Sequence, residues 1–114
     1  MTALPETILD IADLAPAAKN GDYPAAKRVL DVDGATIVAF TFAKGQVLTD
    51  HHAPHPITVQ TISGDVAFRV EGRDYALPTG RVIHVPEGVI HSVYANADST
   101  FLLTLHTGAA DAAK

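Results

Sequence analysis

Histidines are the residues of this chain best suited to chemistry, because there is no cysteine among its 114 residues. Without cysteine, disulfides, thiolate metal ligands and a cysteine nucleophile are all excluded. A metal ion could bind only through histidine, carboxylate or amide oxygen. Three of the six histidines fall within one stretch of five residues, and the whole set is His51, His52, His55, His84, His91 and His106.

The charged residues argue against nucleic acid and membrane partners. Thirteen Asp and Glu against eight Lys and Arg give a net charge of -5, and the basic residues are scattered singly. Binding to a phosphate backbone needs clustered cations, so we expect no nucleic acid partner. Residues 1–6 lack the basic and apolar runs of a secretory signal, and the apolar stretch 35–43 is too short to span a membrane. We therefore expect a cytoplasmic protein with no membrane partner.

Short strands separated by Gly, Pro and Asp turns account for most of the chain after residue 24. Within residues 35–43, Val38, Phe40 and Phe42 alternate with Ala39 and Thr41, a pattern typical of a half-buried strand. Similar patterns predict strands at residues 27–32, 57–62, 66–70, 75–77, 81–85, 91–95 and 100–106. With no helix long enough for a parallel crossover, these strands indicate an all-β fold, an antiparallel sandwich or barrel.

The segment before the strands has a different pattern. Ile8, Ile11 and Leu14 are spaced as on one face of a helix, and Pro16 limits that helix to one or two turns. A chain of this length fits one domain. The predicted organisation is an N-terminal helical or extended segment at 1–24, a barrel at 25–107 and a flexible tail at 108–114.

Two stretches within the strand region carry a more specific signal. The first has Gly45, His51 and Gly64; the second has Gly80, five residues, Pro86-Glu87-Gly88, two residues and His91. In spacing they resemble the two motifs of the cupin family. The resemblance spans residues 35–105 and implies an antiparallel double-stranded β-helix, or jelly-roll barrel, with a histidine-lined pocket.

The first stretch departs from the cupin pattern at two metal-ligand positions. Ala53 stands where the family has its second histidine, and Ile57 where it has a glutamate. The resemblance therefore carries over only His51 and His91 as ligands, and two imidazoles hold a divalent ion poorly against water and chelators. His55, which two prolines bracket, is either a third ligand or a solvated loop residue.

Two functions follow from the resemblance. In the first, His51, His55 and His91 hold Fe, Mn, Ni or Zn in a small enzyme of the dioxygenase, isomerase, lyase or cyclase type, as in many cupins. In the second, a metal-free cupin binds or senses a small molecule in an apolar pocket, and its histidines only form hydrogen bonds. We expect the pocket to be lined by Ile57, Val59, Gln60 and His106.

Several side chains in this region have directions that alternation leaves open. Gln60 is out of step with Ile57 and Val59, so only a bulge would turn it into the pocket. His84 and His106 could face either the lumen or solvent. The resemblance also implies a homodimer, because small cupins commonly pair through their sheets and exchange N-terminal strands, a role that the segment before Asn20 could serve.

Overall fold

Strands make up most of the computed structural model, which describes residues 5–108. Apart from Gly108, the expected tail lies outside the described residues. One short helix precedes the strands, and the elements in chain order are α1 (Ile11–Leu14), β1 (Ala25–Val32), β2 (Ala35–Phe42), β3 (Val47–His51), β4 (Ile57–Ser63), β5 (Asp65–Val70), β6 (Arg73–Pro78), β7 (Val82–Val85), β8 (His91–Ala95) and β9 (Ser99–Leu105).

The strands form two antiparallel sheets that pack face to face. One sheet has five strands in the order β1-β2-β9-β4-β7, and the other has four in the order β3-β8-β5-β6. Every strand pairing is antiparallel. The predicted all-β antiparallel barrel of the jelly-roll type is therefore confirmed.

The core lies between the sheets and follows the alternation of each strand. In β4, Ile57, Val59 and Thr61 are buried, whereas Thr58 and Gln60 lie on the opposite face. The largest core side chains are three phenylalanines, one from each of three strands: Phe42, Phe68 and Phe101. The burial of such large apolar side chains from both sheets supplies most of the free energy that holds the two sheets together.

The third strand was not predicted from the sequence. It pairs only with β8 at the edge of the four-stranded sheet, and Thr49, Asp50 and His51 at its end are exposed. A short edge strand with polar residues does not show the alternation that marks a half-buried strand. Backbone hydrogen bonds hold its start, from Gly45 N–H to Ala95 O (2.8 Å) and from Ala95 N–H to Gln46 O (3.0 Å).

The N-terminal segment contains a single helical turn, as the spacing of its apolar residues predicts, and none of the residues of α1 is buried. A buried glutamine ties the end of this segment to the barrel. The amide of Gln46 donates to the carbonyls of Lys19 (2.7 Å) and Gly21 (3.1 Å) and accepts from Ala43 N–H (2.8 Å). Among residues 5–108 no helix is both long and apolar enough to cross a membrane.

Candidate functional site

A row of paired residues crosses the four-stranded sheet at one end of the barrel. His51 pairs with His91, His91 with Val70, and Val70 with Arg73. Each of these residues is the first or last of its strand. Directly paired residues of antiparallel strands point to the same face of a sheet, and both His91 and Val70 are buried in the barrel. This mouth row therefore faces the barrel interior, with two histidines at one end and an arginine at the other.

The opposite wall of the mouth comes from the five-stranded sheet and is apolar. Ile57 pairs with Val85 on one side and with Leu105 on the other. These residues also stand at strand ends, and Ile57 and Val85 are each 1% exposed. A polar row thus faces an apolar row across the mouth.

His91 is held in one orientation by its surroundings. Its Nδ1 lies 3.1 Å from the carbonyl oxygen of Val89, and because a carbonyl only accepts, Nδ1 carries the proton and donates it. The ring stacks on Phe68, with centroids 5.5 Å apart and planes 14° apart. The hydrogen bond fixes the neutral tautomer in which Nε2 presents a lone pair.

The Nε2 atom of His91 is buried and has no hydrogen-bond partner within the described part of the chain. Burial lowers the pKa of His91; the Val89 carbonyl opposes this shift, and nearby His51 and His52 add to it. The imidazole is therefore neutral at pH 7, and Nε2 is an acceptor without a donor. Buried polar atoms are nearly always paired, and leaving one unpaired costs about 1–3 kcal/mol.

The structure brings His51, but not His55, to His91. The rings of His51 and His91 have centroids 5.4 Å apart and stand edge to face at 86°, while His51 itself is largely exposed. His55 is half-buried and His52 exposed. Over residues 5–108 no three or more His, Asp or Glu side chains are grouped so as to hold a metal ion.

The two replaced ligand positions still lie inside the barrel. Ala53 is 8% exposed and Ile57 1%, and both belong to the hydrophobic core. A hydrogen bond from Gly88 N–H to the Ala53 carbonyl, 2.9 Å long, joins the two motif stretches. The mouth thus keeps the motif geometry but offers two imidazoles where a resident ion needs three or four protein ligands. This donor set does not fit a tightly held divalent metal.

The residues expected to line a pocket divide between the two faces of the five-stranded sheet. Ile57 and Val59 are buried in the core, facing the interior. Gln60 is exposed on the other face of β4, so no bulge turns it inward. The expectation that Gln60 lines the pocket is therefore corrected, because the side chains of β4 alternate regularly between the two faces of the sheet up to this residue.

His106, also expected in the pocket, lies on the outer face of the same sheet. Its Nε2 is 2.7 Å from the hydroxyl oxygen of Thr58, and Nδ1 of His84 is 3.2 Å from the same oxygen. The two rings have centroids 5.9 Å apart. Because Thr58 points away from the core, His84 and His106 form an outer pair on the face of the five-stranded sheet opposite to Ile57 and Val59.

A cavity of about 440 Å³ lies beside the mouth row, between β6 and β7, which are the edge strands of the two sheets. This β6–β7 cavity includes Val70, the strand partner of His91, and Val89, whose carbonyl holds the His91 ring. Its apolar residues are Val70, Ala76, Leu77, Val82, Ile83, Val85, Pro86 and Val89, and its polar ones are Glu71, Arg73, Tyr75, Arg81 and His84. Arg73 and Arg81 were not expected in the pocket. The alternation of Arg73, Tyr75 and Leu77 could have placed Arg73 on the same face as the buried Leu77, whereas Arg81 precedes its strand and gave no such signal.

Comparison with known proteins supports the fold by structure alone. No family model matches the chain, and no curated protein matches its sequence. A cupin superfamily protein from Desulfitobacterium hafniense has a similar structure, with a TM-score of 0.76 at 19% identity, over 90% of this chain and 93% of that one. An RmlC-like cupin from Desulfovibrio desulfuricans has a TM-score of 0.69 at 23% identity, over 93% and 96%.

A conserved protein of unknown function from Streptococcus pyogenes is similar as well, with a TM-score of 0.74 at 22% identity, over 91% of this chain and 90% of that one. At these identities the likeness concerns the fold, and fold does not determine function. The two-sheet antiparallel topology agrees with the fold of these cupin neighbours. The chain is therefore a small cupin-fold protein.

Proposed function

We propose that this protein binds a small molecule at the barrel mouth and that the molecule donates a hydrogen bond to Nε2 of His91. The observation that carries the proposal is the buried Nε2 that has no partner among residues 5–108. A ligand that supplies the missing donor recovers the free energy that the unpaired atom costs, about 1–3 kcal/mol. The ligand therefore carries an O–H or N–H group.

The β6–β7 cavity supports an apolar body for the same ligand. Its volume of about 440 Å³ falls within the range of small-molecule pockets, roughly 300–1,000 Å³. His91 does not itself line the cavity, but two lining residues adjoin it: Val70 is its strand partner, and the Val89 carbonyl accepts its Nδ1–H. Such pockets bind mainly by burying apolar surface, and a few polar groups then fix the orientation of the ligand.

The metal-dependent enzyme is the weaker candidate. His91 does have one feature of a metal-ligating histidine, an Nδ1–H that donates to a backbone carbonyl. However, Ala53 and Ile57 supply no donor, and His55 does not join His51 and His91 in a group of three. Titration with Zn²⁺, Ni²⁺, Mn²⁺ and Fe²⁺ by calorimetry should show no binding at micromolar concentration. Binding that His51→Ala and His91→Phe both abolish would favour the metal site instead.

Phenol and toluene offer a direct test of the hydrogen bond, because they have nearly the same shape and only phenol has a donor. Their dissociation constants would be measured by NMR titration of the labelled protein. We expect His91→Phe, which preserves the ring stacked on Phe68, to lower the preference for phenol over toluene about tenfold, in line with the loss of one buried hydrogen bond.

His106→Phe is the matched control, since it makes the same change on the outer face of the five-stranded sheet, where His106 contacts Thr58 and not His91. It should leave the preference for phenol unchanged. An equal phenol-to-toluene ratio in the wild type and in His91→Phe would refute the proposed role of Nε2.

A further inference from the structure

The arginines of this chain divide into two kinds. Arg28 pairs with Asp31 (3.5 Å) and Arg69 with Asp74 (2.7 Å). The other two, Arg73 and Arg81, form no ion pair with any residue between 5 and 108. Both of them line the β6–β7 cavity. In a protein with a net charge of -5, the arginines without a carboxylate partner therefore occur together at one cavity.

Neighbouring groups orient both guanidinium groups and leave further N–H donors for a ligand. Arg73 Nε donates to the hydroxyl of Tyr75 (3.2 Å). Arg81 lies in the turn between β6 and β7, and its Nη1 donates to the backbone carbonyl of Ala76 (3.0 Å), which holds this side chain against β6. A guanidinium has five N–H donors in a planar fork, so one such bond holds it in place without using its capacity for an anion.

We infer that the ligand of the β6–β7 cavity is a carboxylate with an apolar body and that Arg73 and Arg81 bind its charge. The cavity is lined by these two guanidinium groups and by one carboxylate, Glu71, so its lining carries an excess positive charge that a single ligand carboxylate would neutralise. Arginine is suited to this task because its fork matches the two oxygens of a carboxylate. The inference rests on the proposed function and adds the charge of the ligand to it.

The mouth row sets the approximate length of this ligand. His91 on β8 and Arg73 on β6 are both paired with Val70, which lies between them on β5. Neighbouring strands lie about 4.8 Å apart, so the two backbones are separated by roughly 10 Å. A hydrogen-bond donor and a carboxylate at opposite ends of one ring or short chain match this arrangement.

The test compares 4-hydroxyphenylacetate with two analogues, each changed at one end: its amide, which lacks the charge, and 4-methylphenylacetate, which lacks the hydroxyl. Dissociation constants would be measured by NMR titration at low ionic strength, where screening of exposed charges is weakest. We expect the carboxylate to bind roughly fivefold more tightly than the amide, a modest factor because both arginines are exposed. Arg73→Gln or Arg81→Gln should lower this preference to less than about twofold.

Arg28→Gln is the matched control, because it removes the same charge from β1, at the edge of the five-stranded sheet opposite to β7. It should leave the preference for the carboxylate intact. Equal binding of the carboxylate and the amide, or an effect of Arg28→Gln as large as that of Arg81→Gln, would overturn the inference.

The same molecules separate this inference from the proposed function. Loss of the hydroxyl in 4-methylphenylacetate tests His91, whereas loss of charge in the amide tests the arginines. If only the hydroxyl matters, the proposed function stands and the carboxylate inference fails. If only the charge matters, the arginines bind the ligand as inferred and the role of His91 fails.

Discussion

Two pairs of histidines have almost the same spacing in this barrel. One pair lies at the mouth, on the inner face of the four-stranded sheet, and the other lies on the outer face of the five-stranded sheet. The ring centroids are 5.4 Å apart in the inner pair, His51 and His91, and 5.9 Å apart in the outer pair, His84 and His106. The outer pair shares the hydroxyl of Thr58 at hydrogen-bond distance. In the inner pair, Nε2 of His91 is buried without a partner in the described chain.

The comparison shows that closeness alone does not mark a functional site. A hydroxyl both donates and accepts, so Thr58 can bond both outer rings, and neither of these rings has a buried polar atom without a partner in the described chain. The inner pair combines a fixed tautomer, a buried acceptor and an adjoining cavity. The unsatisfied polar atom, and not the number of histidines, distinguishes the two places.

The largest difference between the two places should appear in the free energy of unfolding when nearby aromatic side chains are removed, because the His91 ring of the inner pair packs on the core residue Phe68. Phe68 is 1% exposed and stacks on His91. We expect Phe68→Ala to lower the free energy of unfolding by about 3–5 kcal/mol, as for other buried phenylalanines. Tyr94→Ala, which removes an exposed aromatic ring from the outer face of the same sheet, should cost less than about 1 kcal/mol. Urea unfolding measures both, and equal losses would contradict this account of the core.

A smaller effect should appear in the dependence of stability on pH. Burial lowers the pKa of His91 in the folded state, so below about pH 6.5 the unfolded chain binds a proton that the folded protein does not. The free energy of unfolding should therefore fall as the pH is lowered from 7, by at most about 1.4 kcal/mol per pH unit from this residue.

The control for this pH dependence is the same substitution on each face. His91→Phe should remove the contribution of the buried imidazole, so that its stability declines less steeply between pH 7 and 5 than that of the wild type. His106→Phe should retain that contribution. If His91→Phe and the wild type have parallel stability profiles, His91 is not the desolvated group described here.

The smallest effect should come from the outer pair. Thr58→Val keeps the shape of the side chain and removes the hydroxyl that His84 and His106 share. Because His84 is exposed and His106 half-exposed, water can replace the lost partner, and we expect a loss of less than about 1 kcal/mol. Although His84 also lines the β6–β7 cavity, the preference for phenol over toluene should be unchanged, because we propose that the phenol hydroxyl bonds His91. A large loss of this preference would show that the outer pair belongs to the binding site, and it would contradict the distinction between the two pairs.

The sequence allowed much of the barrel to be predicted, because half-buried strands alternate visibly. Phe40 and Phe42 identified β2, and the Gly and Pro turns identified most strand ends. The third strand escaped this reasoning, since Thr49, Asp50 and His51 at an exposed edge carry no burial pattern. The backbone hydrogen bonds that define that strand leave no trace in side-chain types.

The candidate site was predicted less completely. His51 and His91 could be paired from motif spacing, and the loss of donors at Ala53 and Ile57 could be read directly. The partnerless Nε2, by contrast, depends on the Val89 carbonyl and on the stacked Phe68, neither of which sequence spacing specifies. The β6–β7 cavity likewise arises from the separation of two sheet edges, so Arg73 and Arg81 had no visible role until the strands were placed.

The ring nitrogens of His91 provide the most direct test of the central claim. Long-range ¹H–¹⁵N NMR of the labelled protein at pH 7 reports which ring nitrogen carries a proton and whether a ligand contacts the other. The account predicts a neutral ring protonated at Nδ1, with an Nε2 signal that shifts when phenol is added and does not shift with toluene. A ring protonated at Nε2, or an Nε2 signal that is indifferent to phenol at saturation, would contradict it.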